Sequence, residues 1–201
     1  MKRIALIAFL LLSCFVATVP VMAAPVGASS QKTQIAAEPG KAYDINYSDV
    51  QLREAATPVY LPKQLIYSSH MDADTPLPAI GGVTDGGYNV SIVSDYSCKN
   101  ALSCTIAYST AERITPQTGS IESFYSFLRD RNTLKRYVRV SPDPMGWLTL
   151  NQRKVYFVPW VLGAGMGYAQ LVWDENGYRH TIALKGGQKD WLTRMFTLSQ
   201  P

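Results

Sequence analysis

Few side chains in this chain could do chemistry together. Its histidines are His70 and His180, and its cysteines are Cys14, Cys98 and Cys104. Cys98 and Cys104 stand with five residues between them in "SDYSCKNALSCTIAYST", residues 94–110. Such a pair can be a disulfide, a metal site or a redox couple. A zinc centre takes about four ligands, usually with CxxC spacing. A redox pair is more often CxxC at a helix start. Neither pattern is present. "HMDAD" could offer His70, Asp72 and Asp74 to a hard cation, but it lacks the glycine and distal glutamate of a calcium loop, so no metal is expected. "GAGMG", residues 163–167, lacks the GxGxxG spacing and precedes a strand pattern where phosphate would need a helix N-terminus. No cofactor is expected. His180 lies in an apolar pattern opposite Trp173, without a nucleophile-elbow serine beside it. A hydrogen-bonded core histidine is the expectation, and no catalytic set is assigned.

The N-terminus bears on the cysteines. Met1-Lys2-Arg3 is followed by "IALIAFLLLSCFVATVPVMAA", a basic start, an apolar stretch and a small-residue exit. That is the pattern of a secretory signal peptide, residues 1–23, with cleavage after Val21-Met22-Ala23. Leu11-Leu12-Ser13-Cys14 is similar to a lipobox and gives a second expectation, a lipoprotein anchored through Cys14. The apolar residues that follow Cys14 fit that poorly. Cleavage after Ala23 leaves 178 of the 201 residues and no apolar membrane segment. It also leaves 17 of the 19 basic residues against 15 acidic ones, a balance that gives no reason to expect a nucleic-acid partner. The expected location is periplasmic or secreted. There two remaining cysteines favour a disulfide, and Cys98–Cys104 is the expected bond.

The elements that must position these residues follow from periodicity. Residues 24–42 are rich in Ala, Ser, Gly and Pro without a hydrophobic period and read as a flexible leader. Residues 43–201 read as one α+β domain. Pro58 and Pro62 bracket a short extended piece, Val59 to Leu61, suited to an edge strand. "SSHMDADTPLPAIGGVTDGG" reads as a long loop. Tyr88, Val90 and Ile92 alternate with polar residues. Continued parity puts Cys98 on their face, and Cys104, Ile106 and Tyr108 share a parity, so the cysteines should close a hairpin tip. Ile121, Phe124, Tyr125 and Leu128 have helical spacing, with Thr118 or Ser120 as cap. "RYVRV", "GWLTL" and "KVYFVPW" read as strands. In "YAQLVWDENGYRHTIALKGG", Asn176-Gly177 is the favoured pair of a two-residue type I′ turn. That turn sets Glu175 against Tyr178, Asp174 against Arg179, Trp173 against His180 and Leu171 against Ile182. Trp191, Leu192, Met195 and Phe196 mark a closing helix. A twisted antiparallel sheet of about six to eight strands, with two helices on one face, is the expected architecture.

The C-terminal order Trp173, Gly177-Tyr178, Thr181-Ile182, Gly187 and then a helix with Leu192 resembles the closing hairpin and helix of uncharacterised secreted bacterial domains. Similar modules stand outside the membrane in some anti-sigma and sporulation-type proteins. The resemblance covers about the last 35 residues. It implies an α+β fold with an antiparallel sheet and carries no activity.

Two surfaces could meet a partner. One is the stapled loop with Lys99, Asn100 and Leu102. The other is the basic run Arg129, Arg131, Lys135, Arg136 and Arg139, where helix-end placement of the arginines is part of the expectation. The expected role is a non-enzymatic binding or accessory protein of the bacterial cell envelope. Its partner would be an envelope protein, a glycan or a lipid headgroup. A periplasmic hydrolase using dispersed carboxylates and His180, and a structural envelope component, are the alternatives.

Overall fold

A computed structural model describes residues 40–67, 74–98, 103–136, 139–163 and 167–199, all within the unit Ala37–Pro201. Its strands are β1 (Lys41–Asn46), β2 (Gln64–Tyr67), β3 (Leu77–Thr84), β4 (Gly87–Val93), β5 (Thr105–Arg113), β6 (Arg139–Val140), β7 (Gly146–Leu150), β8 (Arg153–Val158), β9 (Val161–Leu162), β10 (Tyr168–Glu175) and β11 (Tyr178–Lys185). The helices are α1 (Ile121–Phe124), α2 (Arg131–Leu134) and α3 (Lys189–Thr197). Nine strands form one sheet in the order β2-β1-β3-β4-β5-β11-β10-β8-β7, and β6 pairs with β9 apart from it. The β1–β3 contact is parallel and the other neighbours are antiparallel. The expected sheet is therefore right in kind, but it is larger and mixed. Among the described residues no helix is long and apolar enough to cross a membrane.

The β10–β11 hairpin sits near the middle. Asn176 and Gly177 have φ of 51° and 80°, as a type I′ turn requires, and the register runs from Glu175↔Tyr178 to Tyr168↔Lys185. Because side chains alternate across a strand, this register divides the residues between two cores. Leu171, Trp173, Ile182 and Leu184 join the larger core, with Val155 and Phe157 of β8. Val172, Tyr156 and Val158 point the other way into a smaller core.

Each core has its own lid. Trp191, Leu192, Met195 and Phe196 of α3 pack into the larger core. Ile121, Tyr125 and Leu128 cover the smaller one. Two helices on one face is thus corrected: the helical pieces lie on opposite faces. The long helix expected near residue 121 is also broken. Ser120 Oγ accepts from Ser123 N at 3.1 Å and caps α1. The chain then tightens into a 3₁₀ turn, Ser126–Arg129. Asp130 is extended (ψ 111°), and its carboxylate accepts from Asn132 N and Thr133 N. A short acid that caps the next turn competes with continuing the last one. Phe124 therefore stands 62% exposed, where helical spacing placed it inside.

Two further readings change. Residues 59–61 are no edge strand. They cross the face of the sheet, where Tyr60 is buried and bonded by side chains: Tyr60 N donates to Tyr88 Oη at 3.1 Å and Ser109 Oγ donates to Tyr60 O at 2.5 Å. The expected long loop contains β3, which Pro78, Gly81 and Gly82 disguise. Gly81 takes φ 134° and comes so close to β4 that a Cβ would sit 2.1 Å from Asn89 O. A breaker-like residue is what the pairing needs there.

Cys98 and Cys104 are bonded, with Cα atoms 5.9 Å apart. The parity argument for that bond does not hold, because β4 ends at Val93 and Cys98 lies in a 3₁₀ turn, Tyr96–Cys98. The turn and the Ser94 N to Cys104 O bond of 3.0 Å bring the sulfurs together. Closing so short a loop stabilises by about 2 kcal/mol. Reduction should lower the denaturant midpoint by a corresponding amount while leaving the far-ultraviolet dichroism unchanged. Intact mass should rise by two hydrogens, and thiols alkylated without reductant would refute the bond.

Candidate functional site

Side chains with chemical capacity gather on both faces of the sheet. On the α3 face Ala111 of β5 lies between Tyr88 and His180 in one cross-strand row. Its small side chain leaves space above the row, and the segment carrying Thr57 and Tyr60 fills it. His180 is fully buried. Its ring stacks on Trp173 (centroids 5.2 Å apart, planes 14°) and meets Tyr60 edge-on at 5.1 Å. Thr57 Oγ1 lies 3.5 Å from Nε2. His180 Nδ1 and Trp173 Nε1 are buried without a partner in hydrogen-bonding geometry, although Glu175 is near enough to act on both.

The rim of this cluster is ionic. Arg153 Nη2 donates to Glu175 Oε1 at 2.9 Å and to Tyr60 Oη at 2.8 Å, and Tyr60 Oη donates to Glu175 Oε2 at 2.6 Å. The guanidinium also lies 4.8 Å from the Tyr60 ring centre. Burial opposes ionisation of Glu175, but the hydrogen bonds from Tyr60 and Arg153 and the arginine's charge outweigh it, so its pKa falls below the usual carboxylate range. Burial, then the bond to Glu175, pushes Tyr60 up to about 12. Burial pushes His180 down to about 4, against attraction from Glu175. An imidazole that stays neutral and has its neighbours packed against it is poorly placed to exchange protons with a substrate. Neither of two open concavities is lined by it. One is lined by residues 48–54 and 81–83, the other by residues 151–154 with Asp174 and Glu175. The arrangement joins five strands, β4, β5, β8, β10 and β11, and anchors the Tyr60 segment to them.

The opposite face is different. Trp147 of β7 pairs with Tyr156 of β8, their rings edge-to-face at 5.0 Å. Tyr125 stacks on Tyr156 at 6.5 Å, and Phe124 meets Tyr125 edge-on at 4.9 Å. These four rings run from solvent to solvent, for Trp147 is 38% exposed at one end and Phe124 62% at the other. Polar groups fix them. Trp147 Nε1 donates to Glu122 Oε1 at 2.8 Å. Arg129 Nη2 donates to Tyr156 Oη at 3.0 Å, which raises the guanidinium's pKa. Lys154 Nζ stands 4.5 Å from the centre of the Trp147 ring. Arg179 clamps Asp174 through two bonds of 2.8 and 3.0 Å and donates to Gly119 O at 2.9 Å, tying the entry of α1 to the sheet.

Compared with known proteins, the chain matches no family model, and no curated sequence or solved structure is significantly similar to it.

Of the residues singled out by sequence, Arg129 stands in the last turn of the 3₁₀ helix, a helix end as expected, and joins this aromatic face through Tyr156. Lys135 and Arg136 follow it, exposed. The side chains of Arg131 and Arg139 lie outside the described set, as do Lys99, Asn100 and Leu102 of the stapled loop and His70 and Asp72 of the metal candidate. Asp74 is exposed. Among the described residues no three metal-ligating side chains converge. Sequence reading missed Trp147, Glu122 and Lys154. The available signal was Trp147 and Thr149 alternating with Leu148 and Leu150, which puts an aromatic on the polar side of a strand.

The His180 pKa fixes a pH dependence. The folded value lies below the ordinary 6.5, so the unfolded chain binds the proton more readily. The stabilisation is complete above pH 6.5 and is lost as the pH falls towards 4, with a limit on the order of 3 kcal/mol. Thermal unfolding scanned over that window should show a falling Tm that flattens in His180→Phe. An unchanged slope in the variant would show that other groups carry the dependence.

Proposed function

We propose that this chain is a non-enzymatic binding module of the bacterial cell envelope, acting outside the cytoplasm, and that its contact face is the aromatic row Trp147–Tyr156–Tyr125–Phe124 with its flanking charges. The observation that carries the reading is Trp147. It is exposed on the polar side of β7, yet its ring is held in orientation by Glu122, Tyr156 and Lys154. Exposed aromatics cost solvation, and holding one still removes the entropy that a ligand would otherwise have to freeze out. Rigid rings with a charged surround are a common make-up of recognition surfaces.

The chemistry selects among the expected partners. An indole ring held in place suits stacking on the apolar face of a pyranose ring. Arg129 and Lys154 supply cations beside it, and Glu122 supplies an acceptor for hydroxyl groups. A carboxylated envelope glycan uses all of these. A lipid headgroup would use the cations and leave the aromatic row idle. The signal-peptide pattern of residues 1–23 and the disulfide support an extracytoplasmic setting.

The test is co-sedimentation of the oxidised protein with insoluble envelope glycan, before and after the glycan carboxylates are amidated. Trp147→Ala should lower retention at least tenfold and Arg129→Ala about threefold, with unfolding midpoints close to the parent's. Amidation should weaken the parent protein and leave Arg129→Ala little changed. Equal retention of the parent and Trp147→Ala would refute the assigned face.

A further inference from the structure

The two ends of the nine-stranded sheet are built differently. β2 is four residues long, follows Pro62 and Lys63, and is covered by α3, whose Trp191 ring packs edge-on against Tyr67 at 6.3 Å. Proline, charge, shortness and a covering helix are the usual ways to keep an edge from pairing. β7, five residues long, also follows a proline, Pro144, at the same distance, but it has Met145 where β2 has Lys63. Its sequence Gly-Trp-Leu-Thr-Leu holds no charge and no proline. Among the described residues nothing pairs with its outer side.

The hairpin to β8 fixes which groups face outward. Asn151 and Gln152 form a two-residue turn with φ of 49° and 63°, so Leu150 and Arg153, which flank it, exchange hydrogen bonds. The pattern alternates from there. Leu150, Leu148 and Gly146 point their N–H and C=O groups at β8. Trp147 and Thr149 point theirs at the open edge.

We propose that this edge pairs with the same edge of a second copy, antiparallel about a two-fold axis through Leu148. The register is the one that satisfies every outward group: Trp147 opposite Thr149 of the other copy and the reverse, with Leu148 opposite Leu148. Both outward pairs are then hydrogen-bonded pairs. Leu148 meets its counterpart in the closer, non-bonded geometry. Leu148 and Leu150 already pack on the larger core, so that core runs on across the seam. On the aromatic face Thr149 neighbours Lys154. The two-fold therefore sets the Glu122 beside Trp147 of one copy towards the Lys154 of the other, opposite charges where a displaced register would bring like ones together. Three residues of each strand make a small contact, so the association is weak and set by concentration.

Sedimentation equilibrium of the oxidised chain over a hundredfold concentration range should show the average mass climbing from one chain towards two. Thr149→Pro removes an outward N–H and none that bonds to β8, a place where a strand tolerates proline. It should shift the midpoint at least tenfold upward, with unchanged circular dichroism. Thr149→Val should behave as the parent. Under mild oxidation Leu148→Cys should cross-link two chains rapidly and Thr149→Cys should not, which reads the register even if the proline variant misfolds. A parent that stays monomeric throughout overturns the proposal, as does a dimer indifferent to Thr149→Pro or cross-linking that favours Thr149→Cys. Thr149→Pro keeps Trp147, Glu122 and Arg129, so glycan retention and self-association are read separately.

Discussion

The α3 face of this protein depends on one phenol. Tyr60 reaches Glu175 and Arg153 with its hydroxyl, Trp173 and His180 with its ring, and Tyr88 and Ser109 with its backbone. It thereby connects a segment outside the sheet to β4, β5, β8, β10 and β11. The constraint runs in both directions. His180 can be buried neutral only because Tyr60 and Thr57 close over it, and Tyr60 can be held only because Ala111 leaves it room. An ion pair at the rim, a quarter exposed on each side, avoids most of the desolvation cost that a buried pair would carry. It still gives the hydroxyl two charged partners.

The same sheet serves two purposes because its faces were closed differently. One is covered by a two-turn helix and a long crossing segment, and its interior is sealed. The other is covered by single turns, tied down by Ser120, Asp130 and the Arg179 clamp, which leave aromatic rings emerging at both ends. Short lids bury little area, so rings remain partly open there, in fixed positions. The division between packing and recognition thus follows from helix length.

How much of this was readable in advance varies with the range of the cause. The β10–β11 register was legible to the residue, since Asn176-Gly177 admits one turn and alternation admits one facing. The α3 stripe was equally local. The Tyr60 segment was not, because its bonds are to residues between 28 and 123 positions away, counting Thr57 with His180. β3 was hidden by glycines that close contact with β4 demands. The break after Phe124 was visible in principle, as Asp130-x-x-Thr133 is itself a capping signal. It was outweighed by helical spacing in which Ile121, Tyr125 and Leu128 alone were core positions. Of the aromatic face only Arg129 was foreseen. A row of rings drawn from two strands and a turn has no linear signature.

The segment bearing Thr57 and Tyr60 crosses the sheet without joining a ladder. Its backbone is tied through hydroxyls of other residues, so it can lift without any strand separating. Its release is a different event from unfolding, smaller in area and governed by a separate barrier. The segment lies directly against His180, so the way from solvent to that ring passes this segment and not the ladders of the sheet. A proton that reaches the histidine has therefore to get past hydroxyl and ring contacts, not strand pairing.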